Sequence, residues 1–173
     1  MLPPVSGLQL AEVVDTKEKP DPDGRILVQI LNQNEPKIGT KPTAKATFLA
    51  RVLSFYAGEK RGSWFRPEKN DLVLLGFLND DPRHPVILGS LYRNAKNIPK
   101  PLLSDPENKL KGLVFDEDLG ITYNTVDKVI TLSTKLGGKD QSILLDQKNK
   151  EIKIQHTDNH SIHITDKGID IKT

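Results

Sequence analysis

Residues 141–173 read QSILLDQKNKEIKIQHTDNHSIHITDKGIDIKT. Apolar residues come here in alternating pairs, Ile143 with Leu145, Ile152 with Ile154, Ile162 with Ile164 and Ile169 with Ile171, and Ile130 with Leu132 forms a similar pair upstream. Alternation at period two marks short β-strands with one apolar face. The stretches Gly137-Gly138-Lys139-Asp140, Gln147-Lys148-Asn149-Lys150, Thr157-Asp158-Asn159 and Asp166-Lys167-Gly168 read as the turns between them. First members of successive pairs lie 13, 9, 10 and 7 residues apart, a degenerate repeat. Burying one Ile is worth about 1.5–3 kcal/mol, and ordering a strand costs about 1–2 kcal/mol per residue in backbone entropy. Two apolar side chains per strand therefore roughly break even. Strands from several copies wound about one axis would supply the missing core, with Ile130, Leu132, Ile143, Leu145, Ile152, Ile154, Ile162, Ile164, Ile169 and Ile171 turned inward and Lys, Asp, Gln and Thr left outside. The other arrangement such strands allow is a small meander or sandwich packed on the preceding domain.

Upstream, Pro99, Pro101 and Pro106 stand among Lys, Asn and Ser, so residues 94–110 are expected to be a linker without regular structure. Residues 1–93 are again β in pattern, with no helical periodicity. The turn signal Asp21-Pro22-Asp23-Gly24 precedes an alternating stretch around Val28 and Ile30, and further strands are expected at 47–54, 72–77 and 85–91. Residues 32–45, with Pro36, Gly39 and Pro42, read as a long surface loop. Five strands with one long loop, four of the strands located above, suit a small closed barrel, most commonly of OB type. The expected fold is thus all-β, with a barrel at 1–93 and a β-helical needle at 111–173.

Composition agrees with a thin core shared between copies. The 173 residues are 36% hydrophobic and 5% aromatic, short of the roughly 45–50% apolar content of ordinary domains. Net charge is +2, which gives no strong pull toward nucleic acid or anionic membrane. The absence of Cys excludes disulfides and thiolate chemistry. Residues 1–14 carry no basic region followed by an apolar run, so assembly in the cytoplasm without a signal peptide is expected.

No phosphate-binding loop or metalloprotease His pair is present. Asp116-Glu117-Asp118 beside Gly120 reads as a solvated loop rather than a carboxylate pair, and Ser63 and Ser90 lack partners for an elbow nucleophile. No catalytic residue and no cofactor are expected. His156, His160 and His163 form the one cluster with ligand chemistry: by strand parity the first two share the Ile face and the third points away. His156 and His160 are candidate metal ligands, although a hydrogen-bonded or exposed histidine is the commoner reading of such a spacing.

Four stretches carry a family resemblance: residues 21–30 (DPDGRILVQI); Ala50-Arg51-Val52; Tyr56-Ala57-Gly58 with Gly62-Ser63-Trp64-Phe65-Arg66-Pro67-Glu68; and residues 71–77 followed by 81–92 (DPRHPVILGSLY). In this order they resemble the OB domain of phage baseplate spikes and of the valine-glycine repeat (VgrG) spikes of type VI secretion. The downstream repeats resemble the triple-stranded β-helix that follows that domain. The resemblance implies a homotrimer at the centre of a baseplate or the tip of an inner tube that punctures a membrane when the sheath contracts. It implies a hub or inner-tube protein and a tip-capping protein as partners, contact with the target membrane by force alone, and no nucleic acid. The large tube-docking domains of many family members, and the lysozyme domain of some, have no counterpart here, so either a separate hub carries the spike or the chain is part of a longer one. Gly24 is expected to take a positive φ, Asn70 to replace a turn glycine, Gly89 to permit close backbone approach, and Trp64, Phe65 and Phe77 to fill the barrel core. Two other functions fit parts of the sequence: an OB module for single-stranded nucleic acid, using Phe48, Phe55, Tyr56 and Trp64, and a hydrolase hidden in the needle.

Overall fold

The computed structural model describes residues 7–15, 21, 23–31, 46–99, 102, 105–116, 119–136, 139–156 and 160–173; the loop expected at 32–45 and the turns at 137–138 and 157–159 lie outside them. The chain divides into two compact units, 1–93 and 94–173.

In the first unit β1 (Gln9–Asp15), β2 (Ile26–Ile30), β3 (Thr47–Val52), β6 (Leu72–Phe77) and β7 (Pro85–Leu91) close a barrel in the order β1-β2-β3-β7-β6. Neighbours are antiparallel except β3 and β7, which run parallel. Alternation decides what is inside. Ile26, Val28 and Ile30 of β2 point inward with Ala11, Val13, Ala50, Val73, Leu75 and Ile87, all between 0 and 9% exposed, and among the described residues no polar one is buried with them. Phe48 and Phe77 close one side of the core edge to face, with ring centroids 5.2 Å apart. The strand β1 was not legible in the sequence because its inward residues, Ala11 and Val13, are small and give its alternation little contrast.

Turn chemistry sets the barrel's loops. Asp21 accepts hydrogen bonds from the Asp23 amide at 2.9 Å and from the Arg25 guanidinium at 2.9 and 3.0 Å, and Gly24 takes the expected positive φ of 69°. Asn70 stands at φ 72°, so the turn with Asn in place of Gly is kept. Gly89 differs from expectation: a Cβ there would meet nothing within 4 Å. It pairs with Leu74 beside a register shift in the β6–β7 ladder, so it marks a bulge rather than a close approach.

In the second unit, residues 94–110 are not wholly irregular. A short 3₁₀ turn at Ala95–Asn97 is capped by the Asn94 side chain, and Leu110 already belongs to a strand. From there seven strands follow in chain order: β8 (Leu110–Asp116), β9 (Leu119–Asn124), β10 (Val129–Leu136), β11 (Lys139–Asp146), β12 (Glu151–His156), β13 (His160–Thr165) and β14 (Gly168–Lys172). They form one antiparallel sheet in which each strand pairs with the next in sequence. Lys139 and Asp140, expected in a turn, are the first residues of β11. From β8 to β14 the pairing between strands is thus made within one chain, and the sheet leaves a face open.

Two hairpin turns are built alike. Asn124 accepts the amides of Val126 and Asp127 at 2.9 and 3.0 Å, and Asp146 accepts that of Asn149 at 2.8 Å. Each turn ends on a lysine in the left-handed region, Lys128 at φ 59° and Lys150 at φ 56°. The Asn149 amide holds the Asp146 carboxyl below its ordinary range.

Candidate assembly face

The registers of the seven-strand sheet carry two unbroken rows across all its strands. One runs Leu113, Ile121, Leu132, Ile143, Ile154, Ile162, Ile171. The other runs Lys111, Tyr123, Ile130, Leu145, Ile152, Ile164, Ile169. All ten residues expected to form a shared core fall in these rows and therefore on one face. The face is open: Ile130, Leu132, Ile143, Leu145, Ile152 and Ile154 are 40–44% exposed, and Ile169 and Ile171 65 and 69%. The opposite face carries Thr122, Thr131, Lys153, His163 and Asp170 in one register row, interrupted by Leu144. Beside the first apolar row stand Thr134, Gln141, His156 and His160. His156 and His160 are directly opposed, with ring centroids 6.3 Å apart, and Gln141 bonds to His156 Nδ1. His163 is on the far face, its Nε2 3.2 Å from a Glu151 carboxylate oxygen. Among the described residues no group of three or more His, Cys, Asp or Glu is placed to hold a metal.

The barrel exposes a second apolar patch. Trp64 and Phe65, expected in the core, are 70 and 53% exposed. They follow β5 (Arg61–Gly62), which forms a two-stranded hairpin with β4 (Ala57–Gly58) outside the barrel order, so the strand alternation that fills the core does not reach them. Phe55 and Phe65 stack at 6.3 Å, and the Arg66 guanidinium lies 5.6 Å from the Trp64 ring. Ser54 and Ser63 tie the hairpin's base, their hydroxyls 2.7 Å apart, which gives Ser63 a structural bond rather than a catalytic one. Trp64 also packs on the turn of β2, its Cη2 3.2 Å from where a Cβ on Gly24 would sit. Two of the separate sequence motifs meet at that contact. Asp81, in another of them, is gripped by Arg83 through both carboxylate oxygens, and the guanidinium lowers its pKa to about 2.

The model of the type VI secretion system and phage-baseplate injector OB domain matches residues 9–92, the closed barrel from its first strand to its last. Over these residues the chain is similar to the injector OB domain. The expectation raised by the sequence motifs is met. The curated proteins to which the chain is similar are named as spikes. The type VI secretion system spike protein VgrG1b of Pseudomonas aeruginosa is 27% identical over 98% of the chain, so the similarity continues past the OB domain into the second unit. VgrG3 of Vibrio cholerae is 29% identical over 70% of the chain, and VgrG5 of P. aeruginosa 37% identical over 39%. The chain spans only 22, 12 and 8% of the lengths of these three relatives. The aromatic hairpin lies inside the injector OB domain, and the two-row face lies beyond it.

Proposed function

We propose that this chain is the barrel and needle of a homotrimeric, non-enzymatic spike in a contractile injection machine, acting mechanically on the target membrane. The observation that carries the reading is the two-row apolar face, most of whose residues are exposed in a single chain. At about 40% exposure each Ile or Leu still withholds roughly 0.6–1.2 kcal/mol of burial. Ten such residues amount to about 6–12 kcal/mol per chain, comparable with the ~4–15 kcal/mol that association costs. Three copies turning these faces to one axis would form a dry core with the Lys153 and Asp170 face outward. That the similar proteins are spikes supports the same reading. A hub or inner-tube protein would carry the barrel, a capping protein would cover the C-terminal end of the sheet, and the particle would assemble in the bacterial cytoplasm before delivery.

The test is the mass of the 173-residue chain by size-exclusion chromatography with light scattering at micromolar concentration. Three times 19.3 kDa is expected; the monomer mass sinks the proposal. The exposed stack of Phe55 and Phe65 with Arg66 over Trp64 favours one competing use, a platform for single-stranded nucleic acid. Nanomolar affinity for single-stranded DNA at physiological salt would support that use, and micromolar or weaker, salt-sensitive binding is expected.

A further inference from the structure

We propose that His156 and His160 of one chain chelate one divalent first-row transition ion, such as Ni²⁺, Cu²⁺ or Zn²⁺. This goes beyond the assembly reading: the pair stands outside the two apolar rows, beside the first. The two residues are directly opposed across the β12–β13 ladder, on the same face, and both are solvent-exposed. Opposed residues of an antiparallel pair hold their Cβ atoms about 4.5–5.5 Å apart, and the backbone thereby fixes the bite. The ring centroids, 6.3 Å apart, are brought by side-chain rotation onto one ion, for which Zn–N bonds are about 2.0–2.1 Å. Imidazole pairs suit Zn, Cu and Ni rather than Mg or Ca, which need oxygen ligands.

The third participant is Gln141. Its amide contacts His156 Nδ1, and turned with the carbonyl oxygen toward the ring it accepts the Nδ1 proton. That tautomer leaves the Nε2 lone pair free for the ion and holds the ring in place, the role an outer-shell carbonyl plays at metal histidines. Neither ring has a carboxylate in a ligand set with it among the described residues, so the ion keeps open positions filled by water. His163, on the other face beside Glu151, takes no part.

The experiment is isothermal titration of the untagged, chelator-stripped 173-residue protein with NiCl₂ and with ZnCl₂ at pH 7.5. One ion per chain at micromolar affinity is expected. His156→Ala and His160→Ala should each weaken binding roughly tenfold or more, because removing one ligand ends the intramolecular second contact. The double variant His84→Ala/His163→Ala, which changes the other two of the four histidines, should bind as the parent does. Circular dichroism of each variant checks that the sheet persists. Unchanged affinity in either single variant, one ion per three chains, or no binding below millimolar overturns the proposal.

Discussion

The barrel and the seven-strand sheet use the same side chains to opposite ends. In the barrel, five strands curl until their inward Ile, Val and Leu meet, and nine residues fall to 9% exposure or less. In the sheet, the same alternation leaves most of the row residues 37–69% exposed, with Tyr123 and Ile164 half-buried, because each strand bonds only to its neighbours in sequence and the two ends of the row never meet. Alternation alone therefore does not make a core. Closure does, and it comes either from within the chain or from other copies.

Substitutions that act on one region and spare the other test this contrast. The largest effect is expected from Ile154→Asp, which sets a charge within the first apolar row and should reduce the mass from that of the proposed trimer to that of a monomer, while the neighbouring Lys153→Asp on the opposite face leaves it unchanged. Equal masses for the two variants would refute the register. Next, Leu75→Ala should cost the barrel about 2–5 kcal/mol in denaturant unfolding, as large-to-small changes in a closed core do, with no change in assembly. Leu75 is fully buried. A smaller loss, about 1–2 kcal/mol, is expected for Gly24→Ala, since an L-residue is strained at its positive φ and the new methyl meets Trp64.

The smallest effect concerns Asp81. Its folded pKa of about 2 lies below the ordinary 3.8, so the ionised form is favoured by folding. The stabilisation is present above the unfolded pKa and is lost as pH falls through the folded one, a window between about pH 4 and 2. Arg83 is exposed, so the gain in stability is slight. Carboxyl titration by NMR should move the Asp81 midpoint up toward 3.8 in Arg83→Ala; an unmoved midpoint would assign the shift to another cause.

Much of this contrast was legible in the sequence. Period-two pairs identified the rows, and Pro-Asp-Gly and Asp-Pro-Arg turns identified the barrel. The irregular spacing of 13, 9, 10 and 7 had a simple origin that single strands hide. In an antiparallel meander the first member of each pair alternates between rows: Ile130, Ile152 and Ile169 lie in one, Ile143 and Ile162 in the other. Within a row the order is plain, Ile121, Leu132, Ile143 and Ile154 following at intervals of eleven. Strands β8 and β9 were missed because Gly112 and Gly120 break their apolar pattern; each glycine is needed where a Cβ would come within 3.0 Å of a cross-strand carbonyl. The exposure of Trp64 and Phe65 was not legible, because aromatic content signals burial without saying which residues a side hairpin carries out of the barrel.

The paired turns at Asn124–Lys128 and Asp146–Lys150 give the sheet a unit of measure. The two turns, and the strands leading into them, repeat at an offset of 22 residues: Tyr123 and Leu145, Asn124 and Asp146, Lys128 and Lys150, Ile130 and Ile152. Each such unit adds two strands at about 4.7–4.9 Å apiece and touches only the strands before and after it. Length is therefore an inheritable quantity separate from cross-section: duplicating or deleting one unit lengthens or shortens the sheet by about 10 Å and leaves both the barrel and the remaining rows in register.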